Sequence, residues 1–356
     1  MKRVEYGLLL TIALLMAACG GGGSGGGPGN PPPVSDWLIP ANEVYDGGPG
    51  QDGIPSIDEP QFTRASDTTY LDASDRVVGV FVNGQYHAYP HRILDWHEVV
   101  NDAVDNDAFV LSYCPLTGSA LAWDVSDDAT NTEFGVSGLL YNSNLILYDR
   151  ASGSRWSQML QRSVWGGRSG ERAEQIRVIE TSWPTWLSMY PDSLVLTEDT
   201  GFSRNYSVYP YLSYRTNSVL LFPLDDVDNR LHPKRRVIGI RSNAASKAYQ
   251  IDSFGSTTQT INDHFDGNPI VVVGNSDLDF AAIYSRELND GTILEFSTVP
   301  NQLPVVMSDS EGNNWDIFGY AVSGPRTGAQ LERTTSFTAM WFAWAAFSVN
   351  TEIHFN

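Results

Sequence analysis

The sequence predicts an α+β fold that is mainly β, built as two tandem, internally duplicated β-rich units with short helices. Two observations carry that reading. The first is self-similarity: Arg76-Val77-Val78-Gly79-Val80 falls on Arg236-Val237-Ile238-Gly239-Ile240, Asn83 on Asn243 and Ala88-Tyr89 on Ala248-Tyr249, all at a shift of 160. Shifts of 158 to 161 then place Phe109–Leu111 on Ile270–Val272, Ser154-Arg155-Trp156 on Asn313-Asn314-Trp315, and Trp183 and Trp186 on Trp341 and Trp344. The second is local pattern: short β-branched and aromatic runs are punctuated by turn residues, the signature of hairpins rather than long helices.

In chain order, residues 1–19 read as a lipoprotein signal peptide. Lys2 and Arg3 precede the apolar stretch Gly7 to Ala18, which is too short to span a bilayer. Met16-Ala17-Ala18-Cys19 resembles a lipobox with Met16 where Leu is usual, so Cys19 is the expected lipidation site. Residues 20–45 form a Gly/Pro-rich tether that has too little apolar content to bury a core. The first unit covers 46–200, a Tyr-rich connector 201–235 and the second unit 236–356.

Within the first unit, Val77 to Val82 and Gln85 to Tyr89 are strands joined at Asn83-Gly84, both of which tolerate positive φ. Ile93 to Val100 has the apolar spacing of a short helix, and Phe109 to Tyr113, Ser119 to Trp123 and Leu145 to Tyr148 read as buried strands. Ser182 caps a helix that reaches Met189, with Pro184 in its first turn. The matching segment Phe337 to Phe347 reads as a core helix, too short to be a membrane span. In the connector, Tyr206, Tyr209, Tyr211 and Tyr214 are expected to pack, and Asp225, Asp226, Asp228 and Asn229 to form a solvated acidic loop without EF-hand spacing.

The formal charge of −20, from 42 acidic and 22 basic residues, argues against nucleic acid as a partner, which needs a basic patch. The expected membrane contact is the lipid anchor. Gly20, rather than an aspartate, follows Cys19, which favours the outer membrane and periplasm over inner-membrane retention. With one of the two cysteines lipidated, Cys114 has no disulfide partner.

The duplication acts as an internal control, because residue types kept in both copies are explained by folding. His87, His91 and His97 take three of the six histidines, and their counterparts are Lys247, Ile251 and Thr257; Cys114 falls on Asn275. Imidazole and thiolate donors suit zinc or copper, so these four residues are the candidate metal ligands. Asp149, Arg150, Arg155 and Gln158, with Cys114, are the candidate ligand-binding residues beside Trp156, since Arg offers a planar fork. The second copy aligns Asp309 with Arg150 and Asn314 with Arg155. No complete catalytic motif is present: His97-Glu98-Val99-Val100-Asn101 lacks the second histidine of HExxH, and Gly135-Val136-Ser137-Gly138 has the wrong spacing for a nucleophile elbow.

The chain resembles the bacterial and archaeal family called domain of unknown function 3179. The resemblance rests on Ala88-Tyr89-Pro90, Trp96-His97-Glu98, Tyr113-Cys114-Pro115-Leu116, Phe134 to Ser143, Tyr148-Asp149-Arg150, Trp156-Ser157-Gln158, His232-Pro233-Lys234 and Trp341 to Phe347. It implies no particular activity. Members of that family often carry Cys-Pro-Leu-Cys-Gly, where this chain has Thr117 at the second cysteine position. A lone cysteine supports neither dithiol cycling nor a two-thiolate metal site. The leading expectation is a cell-envelope lipoprotein that is a binding or accessory protein. The rivals are an extracytoplasmic enzyme using Cys114 as nucleophile or redox centre, and a structural lipoprotein with no small-molecule site.

Overall fold

A computed structural model describes residues 36–126, 132–224, 226–348 and 350–355, and residues 32–356 form one compact unit. The signal peptide, Cys19 and the run Gly20 to Pro33 lie outside the described residues. The architecture is α+β and mainly β, with six sheets and three short α-helices among the described residues. No described helix is long and apolar enough to cross a membrane.

Each half of the chain contributes three sheets in the same order. In the first half Arg76–Val82 lies between Val178–Ser182 and Gln85–Pro90, with Leu194–Leu196 running parallel to the latter. In the second half Arg236–Arg241 lies between Ser336–Met340 and Ser246–Gln250, with Glu352–His354 parallel to the latter. Even the registers agree: Gly79 faces Ala88 and Gly239 faces Ala248. The hairpin turn is the predicted one, with φ of 46° at Asn83 and 78° at Gly84.

The second sheet of the first half is a meander of Val99–Val104, Asp107–Cys114 and Ser119–Asp124, and the other half repeats it as Gln259–Phe265, Asn268–Asn275 and Phe280–Ser285. The third runs through Phe134–Tyr141, Asn144–Asp149, Arg155–Ser157 and Arg162–Trp165, matched by Phe296–Gln302, Val305–Asp309, Asn314–Asp316 and Ala321–Ser323. Asn101 and Asn262 join these sheets in the same way. Asn101 Oδ1 accepts from the backbone N–H of Phe134 at 2.9 Å, and Asn262 Oδ1 accepts from that of Phe296 at 2.9 Å.

The helices are α1 (His91–His97), α2 (Trp183–Met189) and α3 (Trp341–Phe347). Ser182 caps α2 as expected, accepting from the backbone N–H of Thr185. Three sequence boundaries need correction. The helix expected to reach Val100 ends at His97: Glu98 turns the chain at φ 59°, and the β-branched Val99 and Val100 start a strand. The expected helix Phe337 to Phe347 is split, because Ser336–Met340 pairs with Arg236–Arg241 and only the remainder becomes α3. The tether is shorter than 20–45, since Val44–Asp46 pairs with Leu139–Tyr141 and Ile39 is buried.

The cores are shared between the halves. Trp183, Trp186 and Met189 of α2 pack in one cluster with Val271, Phe280, Phe296 and Trp315, while Trp341, Phe342 and Trp344 of α3 cluster with Leu121 and Met159. Both helices reach their own sheet over a glycine. A Cβ on Gly79 would lie 1.9 Å from the Trp186 ring, and one on Gly239 would lie 2.3 Å from the Trp344 ring. The indole N–H groups are also satisfied alike, Trp186 by Ser193 Oγ at 2.9 Å and Trp344 by Thr351 Oγ1 at 3.0 Å. Gly79→Ala and Gly239→Ala should each destabilise the protein by about 1–3 kcal/mol through overpacking, read as a lower midpoint in urea; a change under about 0.5 kcal/mol, the usual size of a surface effect, would contradict the packing account.

Candidate functional site

Cys114 ends the strand Asp107–Cys114, where the apolar alternation of its own hairpin turns it into a dry core with Val99, Leu116, Trp123, Phe134 and Tyr214. It is 1% exposed, and its Sγ lies 3.8 Å from the carbonyl oxygen of Ser143. Burial, aided by the nearby Glu98 carboxylate, pushes the thiol up to about 11. A thiol held protonated in this way is a poor nucleophile at neutral pH. Thr117, in the position of the second cysteine, is buried beside it and belongs to a hydrogen-bonded network instead: Asn144 Nδ2 donates to Thr117 Oγ1 at 2.9 Å and to Gln158 Oε1 at 2.7 Å.

The three histidines do not join Cys114. His87, buried in a strand paired on both sides, has its Nδ1 3.3 Å from Asp102 Oδ2, the counterpart of Lys247 Nζ meeting Asp263 at 2.8 Å in the other half. His91 lies tilted against the Tyr113 ring with its Nε2 3.2 Å from Glu180, and burial lowers it to about 4. Both ring nitrogens of His97 are engaged, by the Pro55 carbonyl oxygen at 2.8 Å and the Tyr206 hydroxyl at 2.7 Å, and burial again lowers it to about 4. Among the described residues no group of three or more His, Cys, Asp or Glu side chains is placed to hold a metal ion. The expected clustering of His87, His91, His97 and Cys114 is therefore corrected: His87 lies in a strand, His91 and His97 at opposite ends of α1 and Cys114 at the end of another strand, each with partners of its own.

The second candidate set is structural in its contacts. Asp149 is fully buried and accepts the Trp156 indole N–H at 2.9 Å; Asp309 does the same for Trp315 at 2.8 Å, so Asp309 matches Asp149 rather than Arg150. The turn between them differs by one residue, which shifted the sequence alignment. Arg150 pairs with Glu133 and with Asp58 at 2.9 Å. Arg155 bonds Gln51 Oε1 at 2.9 Å and lies over the Tyr148 ring, while Gln158 is held inside by Ser112, Ser119 and Asn144.

A larger feature lies one layer from Cys114. A cleft of about 530 Å³ opens where the two halves meet, lined by Asp75, Arg76, Arg215, Lys234, Arg236 and Asp279 among others. Arg76 and Arg236, which begin equivalent strands, both bond Asp279, and Arg236 also reaches Glu180 at 3.5 Å. Arg215 bonds Asp95 and lies 3.2 Å from the Tyr113 hydroxyl, next to Cys114 in sequence. The connector builds this wall: Tyr214 donates to the Leu116 carbonyl oxygen at 3.0 Å, and Tyr211 to Glu98 Oε1 at 3.3 Å. Its tyrosines are thus packed, as expected. In the expected acidic loop, Asp225 lies outside the described residues and Asp228 pairs with Arg230 at 2.6 Å.

Sequence reasoning missed Arg76, Arg215, Lys234, Arg236 and Asp279. Arg76 and Arg236 had been seen only as the first matched pair of the repeat, which read them as folding residues. Lys234 was visible within His232-Pro233-Lys234, but nothing in the sequence showed it to be buried.

Burial pushes two carboxyls behind the cleft wall upward, Glu98 from 4.5 to about 8 and Asp95 from 3.8 to about 7 despite its Arg215 partner. Between the ordinary and the raised values the folded protein binds a proton that the unfolded chain has lost, so stability falls as pH rises through this window. His91, His97 and Lys234, all lowered by burial, act in the opposite sense, so the Glu98 effect is read as a difference. The stability of wild type relative to Glu98→Gln should fall as pH rises from about 5 to 8, and a difference that does not change with pH would refute the assignment to Glu98.

Comparison with curated proteins and with solved structures returned no match. A family model described as protein of unknown function (DUF3179) matches residues 51–351, which takes in both halves, the connector and every residue of the cleft. The chain therefore belongs to the DUF3179 family.

Proposed function

We propose that this protein is an exported cell-envelope lipoprotein, anchored through acylated Cys19, whose body is two duplicated β units (46–200 and 236–356, joined by 201–235) and which acts as a binding or accessory protein. The observation that carries the binding reading is the open cleft of about 530 Å³, a size suited to a small molecule, on which charged side chains from both halves converge. The proposed ligand site is this cleft rather than the surroundings of Cys114, to which it is linked through the Arg215 contact with the Tyr113 hydroxyl. The rival reading, an enzyme with Cys114 as nucleophile, draws no support from a thiol that is buried and pushed up to about 11. Zinc or copper on His87, His91, His97 and Cys114 is likewise not part of the proposal, because their side chains are held apart.

The anchor is supported by Lys2, Arg3, the apolar Gly7 to Ala18 and Cys19. In its host the full chain should sediment with outer membranes, and Cys19→Ala should be released to the soluble fraction or retained as precursor; unchanged fractionation would remove the anchor. Binding is tested by thermal melting of the mature protein against a panel of anionic, neutral and cationic metabolites. At about a hundred times Kd a ligand adds about 2.7 kcal/mol, a rise of several degrees in a chain of this size. If no compound moves the melt while iodoacetamide modifies Cys114 within minutes at pH 7.5, the binding reading falls and the enzyme reading replaces it.

A further inference from the structure

We infer that the cleft binds a small molecule through an oxyanion, a phosphate or carboxylate, seated on Lys234 Nζ. This deepens the proposed function and rests on the cleft being the ligand site. Lys234 is 8% exposed, lines the cleft, and its Nζ has no hydrogen-bond partner. The arginines around it differ in that respect. Arg76 and Arg236 bond Asp279, Arg215 bonds Asp95, and Arg235 bonds Asp252, while Asp75 is taken up by Arg92 at 2.6 Å. Of the lysines and arginines lining the cleft, Lys234 is the one without a carboxylate.

The position of that ammonium is fixed rather than incidental. The backbone on either side is pinned to α3, with Phe342 N–H donating to the Pro233 carbonyl oxygen at 3.1 Å and Trp341 N–H to that of Arg235 at 2.7 Å. Lys234's own N–H donates to His232 Nδ1 at 3.2 Å. Its Nζ lies 3.0 Å from the centroid of the Tyr214 ring and 4.8 Å from that of Phe342, so aromatic faces flank it on the protein side. Ring faces attract a cation but supply no lone pair directed at its N–H groups. The Nζ itself is enclosed beside these rings, so its three donors reach a ligand only when the side chain turns toward the cleft that Lys234 lines.

Burying an unpaired ammonium costs several kcal/mol, and here burial lowers the amine to about 7. An oxyanion would restore both the charge and the hydrogen bonds. Binding is then coupled to protonation of Lys234, strongest below pH 7 and weakening by about tenfold per pH unit above it. The other charged or titratable groups lining the cleft are Asp75, Arg76, Arg215, His232, Arg235, Arg236, Asp252, Asp277 and Asp279, and Tyr214 lies beneath the amine. Arg76, Arg235 and Arg236 are ion-paired, whereas Asp95 beneath Arg215 is itself raised to about 7 and loses its proton in the same range. The share of the pH dependence assigned to the amine is therefore the part that Lys234→Met removes.

The test is calorimetric titration of the full mature protein with inorganic phosphate and with succinate at constant ionic strength, beside glucose and choline, at pH 6.5 and 8.5. The expected result is binding of phosphate or succinate at pH 6.5, at least tenfold weaker at pH 8.5, with no binding of glucose or choline. Which of the two anions binds identifies the headgroup. Lys234→Met, which keeps the length of the side chain and removes the buried charge, should fold and lose at least tenfold in affinity together with the pH dependence. Anion binding that survives in Lys234→Met overturns the assignment to Lys234. Binding of glucose or choline but of neither anion overturns the oxyanion and leaves the cleft as the ligand site, whereas no binding by any probe in wild-type protein overturns both; neither of these outcomes depends on the variant.

Discussion

Two tryptophans lying on two glycines hold the molecule together. Trp186 and Trp344 each press a six-membered ring against the backbone of a central strand, an approach that only the missing side chains of Gly79 and Gly239 permit. Each ring thereby fixes a helix to its own sheet, and that helix then offers its remaining apolar surface to the opposite half. Neither core is complete without the other half, which is why residues 32–356 form one compact unit although the chain reads as two. Burial of so many indole and aliphatic groups supplies the main stabilising term in a body whose one free cysteine makes no covalent cross-link.

This reciprocal packing also creates the charged seam. The strands Arg76–Val82 and Arg236–Arg241 start at the junction, so their two arginines face one another and would repel if Asp279 did not lie between them. His91, Glu180 and Asp95 extend the network inward, and the connector closes it with Arg215 and the tyrosines. Most of these charges are balanced within the protein. Lys234 is the exception: it lines the cleft, and its enclosed Nζ has no carboxylate or hydrogen-bond partner, which distinguishes this seam from a purely structural ion network.

Comparison of the halves separates scaffold from specialisation. Tyr89 with Asp102 and Tyr249 with Asp263, Trp156 with Asp149 and Trp315 with Asp309, and Asn101 and Asn262 on their facing backbones are matched pairs that serve folding. His87 and Lys247 extend the matching to residues of different chemistry that pair with equivalent aspartates. A histidine confined to one half was therefore a weak functional signal. Cys114 and Asn275 show the same point: the asparagine caps its turn by accepting from the N–H groups of Asp277 and Leu278, while the cysteine fills an apolar core.

By itself the sequence determined the β-rich α+β class, the Asn83-Gly84 turn, the Ser182 cap, the packed tyrosine connector and the family, because each is written in neighbouring residues or in a motif of fixed spacing. Only the tertiary structure decided which polar groups share a site. Helix ends at Glu98 and Trp341 were set by strand pairing with distant segments, and His87, His91 and His97 took separate partners, Asp102, Glu180 and Tyr206, from elsewhere in the chain. Arg76, Arg215, Lys234, Arg236 and Asp279 come from five separate places in the chain and meet only when the halves close on one another. Burial and ion pairing, which single out Lys234, are properties of that closure and leave no local trace in the order of residues.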